Sequence, residues 1–332
     1  MMVREIEIST QYNFEIKSLT PMKGVYLIET DKGKKCLKKI NYGTSKLMYI
    51  NGAKEHIVNN GFSNIDRFNI AQRDGVPYAV VNDDLYIITD WIDGKECDFK
   101  KREELNIASK TLSEFHLCAR NFDAPEDLKQ RTDIGKYTLT IEKRAAMLHK
   151  MREMARKKRR KTDFDMMYLS NVDFYQKLAQ RAIKGLDINS YARVCEDSLR
   201  DKVLAHHDFT YHNIIIDKAG KSHIIDFDYC KSEMQIYDVA TLCVKSLKRL
   251  EWDKDAFTSI IDSYNSVREI NKDEINVLKT LLTFPQRFWR IANRYYYKEA
   301  LWSEGTFTRK MNSIIDEKEK YMDFIDDIDS LI

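Results

Sequence analysis

The sequence predicts an α+β chain in two lobes. A small β-rich lobe with one helix is expected over residues 1–92, and a larger, mainly helical lobe over residues 93–332. Three observations carry that expectation. Short strand-like runs separated by turn residues crowd the first 92 positions. Beyond residue 100, apolar residues recur at helical spacing over long stretches. Within the helical part, residues 203–230 hold two short apolar runs around a Gly-containing turn, the pattern of a β-hairpin.

Taken in order, Val25 to Thr30 and Lys35 to Ile40 read as strands joined by Asp31-Lys32-Gly33, a hairpin turn. In the second strand, Lys38 and Lys39 point to opposite faces, because strand side chains alternate. A helix follows from about Ser45 to Asn60 and stops at Gly61. Glu55 lies on it, either exposed or as the partner of a strand lysine. Tyr78 to Val81 and Leu85 to Trp91 are strands around Asn82-Asp83-Asp84, and Thr89-Asp90-Trp91-Ile92-Asp93-Gly94 joins the lobes.

From Arg102 to Asn121, Leu105, Ala108, Leu112, Phe115 and Leu117-Cys118 mark a helix with one buried face, on which His116 reads as structural. A helix starting near Thr138 ends in the most basic run of the chain, Arg156-Lys157-Lys158-Arg159-Arg160-Lys161. Cations suit a helix C-terminus. Such a run reads first as a solvated face and second as a docking patch for an anionic partner. Helices follow at about Asp163 to Gly185, capped by Thr162, and at Ile188 to Asp201. Another begins at Tyr237-Asp238, where Asp238 is placed to cap or brace it. In PQRFWRIANRYYYKEAL, residues 285–301, Phe288, Ile291 or Ala292, and Tyr295 share one helical face and read as core. Arg287, Arg290 and Arg294 share another face, either solvated or turned to an anion. Residues 316–332 read as an acidic amphipathic tail.

Composition excludes several roles. The 332 residues carry a net charge of only +3, so no global polyanion partner is implied. No aromatic residues interleave with the basic run, which disfavours nucleic acid. No apolar run approaches transmembrane length, and the start, Met1-Met2-Val3-Arg4-Glu5-Ile6-Glu7, alternates charge without an apolar signal core. Cys36, Cys97, Cys118, Cys195, Cys230 and Cys243 are far apart with no C-x-x-C pair. Buried free thiols in a reducing compartment are therefore expected, rather than zinc or a disulfide framework.

The chemistry concentrates in Leu204 to Cys230, LAHHDFTYHNIIIDKAGKSHIIDFDYC. Phosphoryl transfer from a nucleotide needs a carboxylate to orient the attacking hydroxyl and oxygen ligands for Mg²⁺. Asp208 fits the first role, and Asn213 and Asp226 fit the second. One short loop presents Asp208 and Asn213 together, and the hairpin brings Asp226 back beside them. His206, Asp208, Asn213 and then Asp226-Phe227-Asp228 resemble the H-x-D-x-x-x-x-N … D-[FW]-[DE] signature of aminoglycoside phosphotransferase and choline kinase relatives, which share a protein-kinase-like fold. That resemblance implies ATP or GTP with Mg²⁺ as cofactors. It selects Lys38 as the lysine that meets the phosphates, pairs it with Glu55, and gives the backbone of Thr89, Asp90, Trp91 and Ile92 to the adenine. His206 and Asp228 support the site, and Asp238 is the structural aspartate after the metal loop. Two departures stand out: His207 occupies the usual position of a glycine, and Leu19-Thr20-Pro21-Met22-Lys23-Gly24-Val25 offers one glycine where protein kinases carry G-x-G-x-x-G.

Further stretches resemble the CotS-type spore coat proteins of endospore-forming bacteria. They are Glu55-His56-Ile57 through Asn60-Gly61-Phe62, Leu85-Tyr86 through Trp91-Ile92-Asp93-Gly94, Glu114-Phe115-His116, Asp133-Ile134-Gly135-Lys136, the HHDFTYHNIIID and IIDFDYC core, and Phe288-Trp289-Arg290 with Tyr295-Tyr296. The resemblance implies a protein made in the mother-cell cytoplasm and assembled with other coat proteins on the forespore. Two functions follow as expectations. One is phosphoryl transfer to a hydroxyl of a small molecule or coat component. The other is a structural coat role in which the kinase-like fold serves assembly.

Overall fold

Alternating apolar and polar residues build the N-terminal sheet, with Ile28, Leu37 and Ile40 turned inward. The computed structural model describes residues 3–72, 74–125, 128 and 131–332, with side chains from residue 7 onward. Met1 and Met2 of the charge-alternating start lie outside the described residues. The chain opens with α1 (Val3–Tyr12), β1 (Ile16–Pro21), β2 (Tyr26–Thr30), β3 (Gly33–Ile40), α2 (Thr44–Asn59), β4 (Ala79–Val81), β5 (Asp84–Asp90) and β6 (Gly94–Glu96). The helices α3 (Arg102–Cys118), α4 (Tyr137–Lys157), α5 (Asp163–Gly185) and α6 (Ile188–Arg200) follow. Short strands β7 (Leu204–Ala205), β8 (Ile214–Asp217), β9 (Ser222–Ile224) and β10 (Lys231–Ser232) interrupt them. The chain ends with α7 (Ile236–Leu247), α8 (Lys254–Asn265), α9 (Lys272–Thr283), α10 (Gln286–Tyr296), α11 (Glu304–Asp316) and α12 (Lys318–Asp327).

These elements form two compact units. The first comprises Met1–Asp98, Ser113–Arg131 and Lys202–Ser232; the second comprises Phe99–Leu112, Thr132–Asp201 and Glu233–Ile332. The 203–230 hairpin, grouped with the larger lobe on the sequence, packs here with the N-terminal sheet.

In the first unit, five antiparallel strands run in the order β1-β2-β3-β5-β4. Helix α1 was not expected, because its alternating charges imitate a strand. Ile8 and Tyr12, four residues apart, share one face and pack into a core with Phe14, Ile16, Ile28, Leu37 and Tyr86. A second sheet runs β6-β8-β9. Gly94 is essential to it: a Cβ there would lie 2.5 Å from the Ile216 carbonyl oxygen and 2.7 Å from Ile215 Cγ2. Glycine alone permits that approach, which ties the segment after β5 to the hairpin. Ile224 also bridges Ile65, its N–H donating to Asn64 O at 2.9 Å.

The second unit is helical. Thr162 caps α5 as expected, in a capping box with Asp165. The aromatic residues of α10 are core: Phe288 stacks on Tyr175 at 3.9 Å and on Tyr168 at 5.3 Å. The buried face runs Phe288, Ala292, Tyr296, one residue later at its end than the Tyr295 expected. Tyr295 is half-buried and stacks on Phe164 at 4.0 Å. Among the described residues, no helix is long and apolar enough to cross a membrane.

Candidate active site

The hairpin holds its polar residues at strand ends. Ile214, Ile216 and Ile224 anchor β8 and β9 in the interior. A 3-10 turn at Tyr211–Asn213 leads into β8, and another at Phe227–Tyr229 follows β9. Strand ends fixed by buried neighbours are rigid mounts for functional groups.

Asn213 and Asp208 meet directly. Asn213 Nδ2 donates to the Asp208 carbonyl oxygen at 2.9 Å and to Oδ2 at 3.2 Å. His206 is fully buried and packs edge-on against Phe227 at 4.8 Å. Its Nδ1 accepts the Asp208 N–H at 3.3 Å, and its Nε2 lies 3.1 Å from Ile225 O. Asn213 O accepts the Ile225 N–H at 2.9 Å. His206 and Asn213 thus pin the residue that precedes Asp226.

Asp226 adopts the left-handed conformation, with φ 63° and ψ 70°. Lys38 Nζ reaches its Oδ1 at 2.8 Å and Asp228 Oδ2 at 2.8 Å. Tyr42 donates its hydroxyl to Asp228 Oδ1 at 2.8 Å. Burial alone would lower the Lys38 ammonium, but Asp226 and Asp228 outweigh it and hold the group above its ordinary value. Burial likewise pushes the Asp226 carboxyl up, and Lys38 overrides it, holding the group below the usual carboxylate range. Lys39, one residue on, points the other way and pairs with Asp84 at 2.6 Å.

Glu55 is not part of this cluster. Its carboxylate takes the fork of Arg67, with Arg67 Nε at 3.0 Å from Oε1. The reason is helix phase. Leu47, Ile50, Lys54 and Ile57 form the buried face of α2, and Glu55 sits about 100° away from Lys54 around the axis. The joining segment begins inside the sheet. Thr89 and Asp90 pair with Cys36 and Lys35 in the sheet, and Asp90 forms an ion pair with Lys35. The Trp91 N–H donates to Lys34 O at 3.1 Å. Ile92 lies beyond the last ladder pair. Asp238 belongs to the second unit, fully buried in the first turn of α7.

Three residues next to the cluster were missed on the sequence: Tyr42, Asp66 and Lys54. Asp66 Oδ2 accepts the Asp226 N–H at 3.1 Å. Lys54 was detectable as the one cation in the apolar stripe 47-50-54-57. The two departures have structural counterparts. His207 has φ 67°, the region in which glycine is unstrained and His, Asn and Asp are the more tolerated substitutes. The β1–β2 connection is a tight turn closed by Met22 N–H to Val25 O at 2.9 Å, with Gly24 at φ 77°.

The donor chemistry fits a hard divalent cation. Both Asn213 amide hydrogen bonds run from Nδ2, so the amide oxygen is its remaining ligating atom, and Asp226 supplies a carboxylate. An amide oxygen with a carboxylate suits Mg²⁺.

A family model described as "Spore coat putative kinase YutH" matches residues 5–328. The chain belongs to that family. Spore coat protein S of Bacillus subtilis (strain 168) is 22% identical over 333 residues, spanning 98% of this chain and 93% of that protein. Among solved structures, an aminoglycoside phosphotransferase from Alicyclobacillus acidocaldarius gives a TM-score of 0.86 at 22% identity, covering 97% of this chain and 94% of that one. AMP-bound spectinomycin phosphotransferase APH(9)-Ia gives 0.69 at 13% identity, covering 96% and 97%. These likenesses show that this spore coat family member has the kinase-like fold of aminoglycoside phosphotransferases.

Proposed function

We propose that the first unit carries an Mg²⁺-dependent site that transfers the γ-phosphoryl group of ATP or GTP to a hydroxyl of a small molecule or coat component. The observation that carries this reading is Lys38 bridging Asp226 and Asp228, beside an Asp208 braced by Asn213 and His206. The metal, when bound, would offset charge on the phosphate oxygens. Asn213, through its amide oxygen, and Asp226 would hold it. Lys38 commits two of its three N–H groups to carboxylates, and the third is available to a phosphate. Asp208 orients the acceptor hydroxyl and takes its proton as the oxygen attacks phosphorus, and the nucleoside diphosphate leaves. With the Trp91 N–H spent inside the sheet, the backbone at Ile92 is the better candidate for the adenine. Membership of a spore coat family supports synthesis in the mother cell followed by assembly on the forespore.

The test is nucleotide-dependent thermal stabilisation with Mg²⁺, together with hydrolysis. Asp226→Ala should lose the stabilisation. Asp208→Asn should keep it and lose turnover. Neither stabilisation nor hydrolysis in the wild type, with Asp208→Asn silent in spores, would sink the reading.

One observation favours a second reading. The tight β1–β2 turn, with its single glycine, offers few backbone amides to a phosphate, which suits a coat protein that keeps the fold for assembly. On that reading, neutralising Arg156 to Lys161 harms coat incorporation more than Asp208→Asn does.

A further inference from the structure

The second unit contains a cavity of about 480 Å³ whose wall is strongly cationic. Eight of its twenty lining residues are Lys or Arg and none is Asp or Glu, against a net charge of +3 for the whole chain. The charge is therefore gathered rather than diluted over the surface. Arg287, Arg290 and Arg294, spaced by three and four along α10, all line it. Arg144 on α4, Lys248 after α7 and Lys310 on α11 complete a ring drawn from four helices.

Packing holds several of these cations in place. Arg144 donates to Gln286 Oε1 at 2.8 Å and lies 4.5 Å from the centre of the Trp289 ring. Arg294 and Lys310 flank Trp302, at 5.2 Å and 4.8 Å from its ring centre. Arg287 is matched by the carboxylate of Glu317 behind the wall. Burial, with Arg287, Lys245 and Arg249 nearby, pulls the Lys248 ammonium down to about 8. An amine so depressed sits among like charges.

We propose that this cavity is a binding site for a small molecule carrying two or more phosphate groups. Arginine forks match phosphate oxygens bidentately. Each phosphate brings about two negative charges, so a compact ligand can offset a ring that carboxylates, at one charge each, would offset poorly. The site does not depend on the phosphotransfer reading.

Tripolyphosphate is the first probe and fructose 1,6-bisphosphate the second, titrated calorimetrically with EDTA present so that no divalent metal loads the Asp226 site. Binding should weaken about tenfold in Arg294→Gln and in Lys248→Met, the loss of one charge-assisted contact, and should be unchanged in Asp226→Ala. Lys248→Met removes a crowded charge, so its unfolding midpoint without ligand should not fall, which separates lost binding from lost folding. Preference for the bisphosphate would indicate an organic phosphate, and preference for tripolyphosphate an inorganic one; either supports the site. No heat with either probe at low salt would overturn the proposal. So would binding that both cavity variants leave intact, or citrate binding as tightly as tripolyphosphate.

Discussion

Asp66 joins a buried lysine to the backbone of Asp226. Its Oδ2 accepts the Asp226 N–H at 3.1 Å, and its Oδ1 takes Lys54 Nζ at 2.7 Å. Lys54 is 1% exposed and lies 3.9 Å from the centre of the Phe68 ring and 5.1 Å from that of Phe227. Asp226 sits in a left-handed conformation that a non-glycine residue holds at a cost of about 1–2 kcal/mol. The Lys54–Asp66 pair helps to hold that conformation, and through it the carboxylate that Lys38 contacts. Asp66 is therefore a positioning residue for the proposed metal site.

Removing one partner of a buried ion pair leaves an uncompensated charge. Lys54→Met should cost about 3–5 kcal/mol in urea unfolding, and adding Asp66→Asn to it should recover part of the loss. Glu55→Gln, on the outward face of the same helix, should stay within about 0.5 kcal/mol. Equal losses in Lys54→Met and Glu55→Gln would contradict the assignment of the buried face.

His207 adopts φ 67°, where a β-branched side chain is strongly disfavoured. His207→Gly should hold stability within about 1 kcal/mol. His207→Val should lose about 1–3 kcal/mol by the same measurement. A valine variant as stable as wild type would show that the Asp208 loop does not need this backbone geometry.

The Lys38 cluster predicts a pH window. Asp226 is held below the usual carboxylate range, so its contribution is present above the unfolded value of about 4 and is lost as pH falls through the folded value. Lys38 is held above its ordinary value. Its contribution is complete below about 10.4 and is lost as pH rises through the folded value. Lys38→Met should therefore lose about 1–2 kcal/mol, constant between about pH 5 and 9 and shrinking below about pH 4. Chemical denaturation across that range reads the difference, and a gap that varied between pH 5 and 9 would count against the pairing.

What could be read in advance depended on distance along the chain. The hairpin and the Asp208 to Asn213 spacing are local, so strand pattern and loop length exposed them. Lys38 meets Asp226 across 188 residues, and no local pattern states which carboxylate a strand lysine will find. The Glu55 expectation failed because analogy chose the acidic residue while helix phase turned Lys54 inward. The stripe 47-50-54-57 held that information, and charge type obscured it. Helix α1 hid behind alternating charge. The cationic ring of the second unit was visible only as the Arg287, Arg290, Arg294 stripe, since its other members come from three separate helices.

The basic run divides into structural and exposed cations. Lys158 Nζ lies 2.8 Å and 3.0 Å from the two oxygens of Asp165, a fully buried carboxylate that also accepts the Tyr296 hydroxyl at 3.0 Å and the Thr162 N–H at 3.0 Å. Burial would raise the Asp165 carboxyl, but the Lys158 bond and its neighbours hold it below the ordinary value. Arg159 and Arg160 are exposed. Lys158→Gln should therefore cost about 1–3 kcal/mol, less than a fully buried pair because the lysine is partly solvated. Its deficit should fade below about pH 4 as Asp165 protonates in the wild type. Arg159→Ala with Arg160→Ala should change stability by less than about 0.5 kcal/mol. Urea midpoints of the two variants settle the division: equal midpoints would make the run one solvated patch, while a selective loss at Lys158 leaves Arg159 and Arg160 as the cations free to meet a partner.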